Sequence, residues 1–160
     1  MTRQKRKVQR RFVYNGYGFP VVLRNVPMVM VRGSWTPNIN YNVLTQKTLY
    51  ELAHKPVRLT GDEVRFIRHS FDMTLTEFGK ERSVKAATVT RWEKAGEKAT
   101  SMKWLTEKRL RASVLAAQHM RDSVKNRAIG ALWMSLEKKV ESREEAIVID
   151  CERKTFKGLG

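Results

Sequence analysis

Residues 73–96 read MTLTEFGKERSVKAATVTRWEKAG, and the fold turns on how this stretch is read. Thr74 followed three positions later by Glu77 is a capping-box pair, in which each side chain satisfies a backbone N–H at a helix start. It opens a short helix that runs to about Arg82. A second helix from about Ala86 to Lys94 puts Val89 and Trp92 on its inner face, and Ala95-Gly96 ends it. Gly79 supplies the small residue needed where the two helices cross closely, and Arg82-Ser83-Val84 makes the turn, with Val84 plugging the corner. The pattern is that of a helix-turn-helix, whose second helix lays its N-terminal part in the major groove of duplex DNA. Its outward residues would be Lys85, Ala86, Ala87, Thr88, Thr90, Arg91 and Lys94. Thr74 and Thr76, at the start of the first helix, complete the candidate DNA-binding set. Arg91 is the outward residue able to make a bidentate contact to guanine. Thr88 and Thr90 suit bases or phosphate, and Ala86 and Ala87 suit a thymine methyl. On spacing alone, a helical hairpin with a solvated basic face is the alternative.

Working outward, Thr60-Gly61-Asp62-Glu63 repeats the capping box and opens a helix with Val64, Ile67 and Phe71 on one face and Arg65, Arg68 and His69 on the other. The reading unit therefore spans Thr60 to Gly96. Upstream, Asn42 to His54 suggests a helix closed by Pro56. Pro20 to Arg24 and Val26 to Val31 read as two short strands of a hairpin turning at Asn25, and Pro27 implies an edge strand or a strand starting after it. Gly33 to Asn38 reads as loop. Residues 1–12 hold six cationic residues and no acidic one, the texture of a disordered basic arm. Such an arm is either a solubility tail or a strap that lies along phosphate or reaches into a minor groove.

Downstream, Ser101 caps a helix carrying Met102, Leu105, Leu110, Val114 and Ala117. Asp122 or Ser123 starts another, with a stripe of Ile129, Leu132, Trp133, Leu136 and Val140 that is either core or a dimer seam. Ala146 to Asp150 reads as a strand and Lys154 to Gly160 as a tail. The expected fold is mainly α. Four parts are foreseen: a disordered arm (1–12), a β-element and helix (13–57), a helix-turn-helix domain (58–118), and a C-terminal helix and strand (119–160) suited to dimerisation.

A formal charge of +16, from 32 Lys and Arg against 16 Asp and Glu, points to a polyanionic partner. No run approaches the roughly 18 apolar residues of a membrane span, and the basic start lacks a signal peptide's apolar stretch. One cysteine, Cys151, makes neither an internal disulfide nor a tetrahedral zinc site, which suits a reducing cytoplasm. His54, His69 and His119 lack metal-ligand spacing, so no metal or other cofactor is expected. Nothing pairs a nucleophile with a base, and no glycine-rich phosphate loop is present, so an enzyme is not expected.

Thr74 to Gly79, Val84, and Thr88 to Lys94 resemble the phage-repressor (Xre/Cro) family. Arg58-Leu59-Thr60-Gly61-Asp62-Glu63-Val64-Arg65-Phe66-Ile67-Arg68 is similar to the lead-in of the MqsA/YgiT-type antitoxin regulators, and Tyr17 to Leu23 sits where those carry a β-segment. The resemblance covers roughly residues 13–117. It implies a homodimer that binds a palindromic operator on double-stranded DNA, often repressing its own operon. The alternative it implies is an antitoxin that neutralises a small partner toxin. The chain departs from the family in four places. It lacks the cysteines of an N-terminal zinc unit, Ser83 replaces a turn glycine, Leu75 replaces a glutamine, and Ala87 stands where some members carry a base-reading asparagine. Ser83 is tolerated if its backbone stays out of the left-handed region.

Overall fold

The computed structural model describes residues 3–118, 122–135 and 146–152, and it divides into two units. A sheet unit comprises residues 1–48 and 146–160, and a helical unit comprises residues 49–145. In chain order the elements are β1 (Arg6–Tyr14), β2 (Val21–Val31), β3 (Ser34–Pro37), α1 (Tyr41–His54), α2 (Gly61–Ser70), α3 (Leu75–Glu81), α4 (Ala86–Glu93), α5 (Trp104–Ala116), α6 (Asp122–Ser135) and β4 (Ile147–Asp150). The described residues thus hold six helices and a four-stranded mixed sheet, so the fold is α/β and the expectation of a mainly α protein is overturned.

The correction has a local cause. Residues 6–14, expected within or beside a disordered arm, form β1 and pair antiparallel with β2 from Arg6↔Val29 to Tyr14↔Val21. An eleven-residue apolar strand needs partners for its backbone groups, and β1 supplies them on one edge. The cationic side chains of β1 stay exposed while its backbone pairs with β2 along one edge, so charge alone misread the segment as disordered. The two short strands expected at Pro20–Arg24 and Val26–Val31 are one strand, because Asn25 takes a positive φ of 52° inside β2 rather than reversing the chain.

The other edge of β2 is shared. Parallel β4 pairs with residues 21–24, and antiparallel β3 pairs with residues 28–31. Pro27 lies between those two pairings, which is how a central strand tolerates a residue without an N–H. The expected loop at Gly33–Asn38 is mostly β3, joined to β2 through Arg32 and Gly33 with φ of 48° and 83°. Two successive positive φ values match the twist of a two-residue hairpin turn. Val21, Leu23, Ile147 and Ile149 are buried on one sheet face. Cys151 follows β4, and its N–H donates to the Arg24 carbonyl at 2.8 Å.

In the helical unit the core is Leu59, Val64, Ile67, Phe78, Val89, Trp92, Met102, Leu110, Val114 and Leu115. Beside it sits a buried polar cluster. Glu107 is fully buried and accepts hydrogen bonds from the Arg58 guanidinium, the Leu59 N–H and Arg111. Arg111, 1% exposed, donates to the carbonyls of Leu52, Ala53, Lys55 and Val57, and so closes the C-terminal end of α1. α5 starts at Trp104 rather than at Ser101, and Leu105 is half exposed instead of buried. In α6, Leu132 is buried and Trp133 is partly exposed under the Lys108 ammonium, 4.4 Å from its ring centre. Leu136 and Val140 lie outside the described residues.

Candidate nucleic-acid interface

Both expected capping boxes are formed. Thr60 Oγ1 accepts from the Glu63 N–H at 3.3 Å while Glu63 Oε2 accepts from the Thr60 N–H at 2.9 Å, starting α2. Thr74 and Glu77 do the same for α3, at 3.2 and 2.7 Å. Hydrogen bonding from Thr74, its backbone N–H first and its side chain second, holds the Glu77 carboxyl below its usual carboxylate range. Glu63 has a second role, because its Oε1 accepts from the buried Lys55 ammonium at 2.7 Å.

The crossing of α3 and α4 depends on Gly79. A Cβ there would stand 2.7 Å from the Val84 carbonyl oxygen and 3.3 Å from Val89 Cγ2. Ser83 completes the turn with φ of 55°, inside the left-handed region rather than outside it as expected. The Ser83 N–H donates to the Lys80 carbonyl and the Val84 N–H to Gly79, closing the end of α3. Arg82 packs its guanidinium 3.8 Å from the Phe78 ring centre and reaches Ser113 at 3.4 Å. Burial lowers its pKa.

α4 is tied down from behind. The Arg68 guanidinium meets the Glu93 carboxylate with two bonds, Nε to Oε1 at 2.6 Å and Nη2 to Oε2 at 3.1 Å, and Arg65 reaches the same carboxylate at 3.4 Å. Arg68 also donates to the Met73 carbonyl. Arg68 was expected on an outer face; it is 9% exposed and faces α4. The spacing held a signal for this, since Arg68 lies four residues after Val64 and three before Phe71, beside the apolar stripe, whereas Arg65 lies off it. A second close approach was also missed. A Cβ on Gly61 would fall 2.6 Å from the Trp92 carbonyl oxygen and from the Gly96 nitrogen, so α2 begins directly against the end of α4.

With Val89, Trp92 and Glu93 buried, the opposite side of α4 faces outward. Lys85, Ala87, Arg91 and Lys94 are exposed, and Ala86, Thr88 and Thr90 are half-buried. Among the described residues the side chains of Lys85, Arg91 and Lys94 have no hydrogen-bond or ion-pair partner, although carboxylates hold the neighbouring Arg65 and Arg68. The Thr90 hydroxyl donates back to the Ala86 carbonyl at 3.1 Å, which leaves it only as an acceptor. Lys85 begins α4 without a side-chain cap. Thr76 is exposed, and Thr74 is committed to its capping box. The structure therefore leaves Ala87 and Arg91 exposed and Thr88 half-buried on α4, with Lys85 and Lys94 exposed at its two ends, and gives Thr74 and Thr90 partly internal duties.

No family model, curated protein or solved structure matches the chain. Among the described residues no helix is long and apolar enough to cross a membrane, and no group of three or more His, Cys, Asp or Glu is placed to hold a metal ion.

Proposed function

We propose that the chain is a sequence-specific, double-stranded DNA-binding transcription regulator, acting as a homodimer on an inverted-repeat operator in the cytoplasm. α4 is the reading helix. The observation that carries this is the division of α4: Val89, Trp92 and Glu93 fix it to the helical unit, while Lys85, Arg91 and Lys94 project with no internal partner among the described residues. Unneutralised cations on a helix whose rear is held by packing and a two-bond ion pair suit groove insertion, because little ordering entropy is lost on binding. Arg91, in the last turn of α4, discriminates guanine, and Lys85 and Lys94 flank it as phosphate contacts.

The test is selection from a random duplex pool by the full chain, with an RNA pool of equal length run beside it. Enrichment of an inverted repeat whose half-sites lie about 34–36 Å apart, or a multiple of that, is expected from a dimer of such units. Equal retention of all duplexes, or preference for the RNA, overturns the reading.

A further inference from the structure

We infer that the β1–β2 ribbon of the sheet unit is a second nucleic-acid surface, one that grips duplex phosphates without reading bases. The identity of the polyanion rests on the DNA-binding reading; the surface itself rests on separate observations. The first acidic residue in the chain is Glu51, and nine lysines and arginines precede it. All six ion pairs among the described residues join side chains between Lys55 and Arg111, so none lies in the sheet unit.

Within the ribbon two cations are set opposite one another by register. Arg11 pairs directly with Arg24, and Lys7, also exposed, lies four residues along β1, beyond the Arg10–Asn25 step where the pairing is interrupted and Asn25 takes a positive φ. At about 3.3 Å per residue, Lys7 and Arg11 stand about 13 Å apart along the strand. Like charges directly opposite one another destabilise a sheet. The nearest acid in register, Asp150 beside Arg24, does not relieve the pair. Its carboxylate accepts from Asn25 Nδ2 at 3.3 and 3.4 Å and from the Glu152 N–H at 2.9 Å, and it forms no ion pair with Arg24. Lys7 is braced over the Trp35 ring, 4.4 Å from its centre, which orders its stem while leaving its ammonium positive.

Exposed cations without counter-charge fit a polyanion, and a duplex presents one charge per about 1.7 Å of axis. The exposed, unpaired charge favours backbone contact over base reading, since the face offers no amide or carboxylate pair to recognise base edges beyond Gln9, whose amide donates to the Arg11 carbonyl.

The experiment compares the full chain with a Lys7→Gln, Arg11→Gln, Arg24→Gln triple variant, titrating both against a non-specific duplex at several salt concentrations. Three lost phosphate contacts make the log–log salt slope shallower by about 2.7, at about 0.9 per contact. A variant that keeps the charges (Lys7→Arg, Arg11→Lys, Arg24→Lys) retains the slope. An unchanged slope in the neutralised chain overturns the proposal and leaves the face to an acidic protein or to solvent. If the triple variant does not fold, the single changes Arg11→Gln and Arg24→Gln, each of which relieves the like-charge pair, are expected to reduce the slope by about 0.9 each; no change in either overturns the proposal. Failure of the α4 reading has a different signature. It appears as equal retention of all duplexes in the random-pool selection, a readout that the ribbon variants do not move.

Discussion

Arg68 and Glu93 form a buried two-bond ion pair that fastens α2 to the end of α4, with Nε–Oε1 at 2.6 Å and Nη2–Oε2 at 3.1 Å. The pair sets the tilt and depth of the helix whose far side carries Arg91. Removing one partner strands a charge inside the protein, which costs about 3–5 kcal/mol. Glu93→Ala is therefore expected to lower stability by about that amount in denaturant unfolding. A double change to Arg68→Met and Glu93→Leu removes both charges and is expected to recover most of the loss. If Glu93→Ala is as stable as the parent, the pair is not holding α4.

Ser83 occupies the left-handed region at φ of 55°, where a side chain costs about 1–2 kcal/mol that glycine avoids. Glycine's greater freedom in the unfolded chain offsets part of this. Ser83→Gly is expected to stabilise the protein by about 1 kcal/mol and raise the midpoint of thermal unfolding. A lower midpoint would mean that the serine side chain contributes something the turn geometry does not reveal.

The capping boxes at Thr60 and Thr74 and the crossing glycine were legible because each is a local pattern with one physical reading. The Arg68–Glu93 pair was not, because it joins positions that only the tertiary fold brings together. β1 was missed for a related reason. Its sequence shows exposed charge, whereas strand formation there is dictated by the hydrogen-bonding demand of β2, which lies elsewhere in the chain. Without β1, β2 looked like a small hairpin, and the balance of the whole fold tipped towards helix. The outward residues of α4 were readable as a set. That Thr74 and Thr90 are partly occupied internally could be seen only from their hydrogen bonds.

Two glycines mark contacts that exclude a methyl group. The Cβ of Gly79→Ala meets the Val84 carbonyl at 2.7 Å, and that of Gly61→Ala meets backbone atoms of Trp92, Glu93 and Gly96 at 2.6–2.7 Å. The obstacles are backbone, so neither site relaxes by rotating a side chain. Each change is expected to cost about 1–3 kcal/mol, and Gly79→Ala also alters the angle between α3 and α4. Urea unfolding checks the first effect, and loss of duplex binding by protein that remains folded checks the second. Gly130→Ala, on the exposed side of α6 with open space at its Cβ, serves as the control and is expected to be neutral or slightly stabilising.

Burial pushes the Cys151 thiol up to about 11, with Asp150 adding to the effect. A raised value favours the neutral thiol in the folded state. Its contribution to stability is therefore complete below the ordinary thiol range and is lost as pH rises through about 11. At pH 8 the native protein is expected to react far more slowly with a thiol reagent than the urea-unfolded chain, since the thiolate is the reacting species. Equal rates would show that Cys151 opens readily to solvent.

Arg91 is exposed in the last turn of α4, and its guanidinium is uncommitted among the described residues. Its planar fork matches the two acceptors on the major-groove edge of guanine, so its loss should be felt at one base position. Arg91→Ala is expected to weaken binding to the selected operator by about 1–3 kcal/mol while leaving non-specific duplex affinity nearly unchanged. Repeating the duplex selection with this variant should relax preference at a single position in each half-site and leave the others intact. Lys94→Ala gives the contrasting result. A phosphate contact carries no base information, so its removal should weaken all duplexes alike and reduce the salt slope by about 0.9. If Arg91→Ala behaves as Lys94→Ala is expected to, Arg91 grips the backbone and base discrimination falls to Thr88 and Ala87.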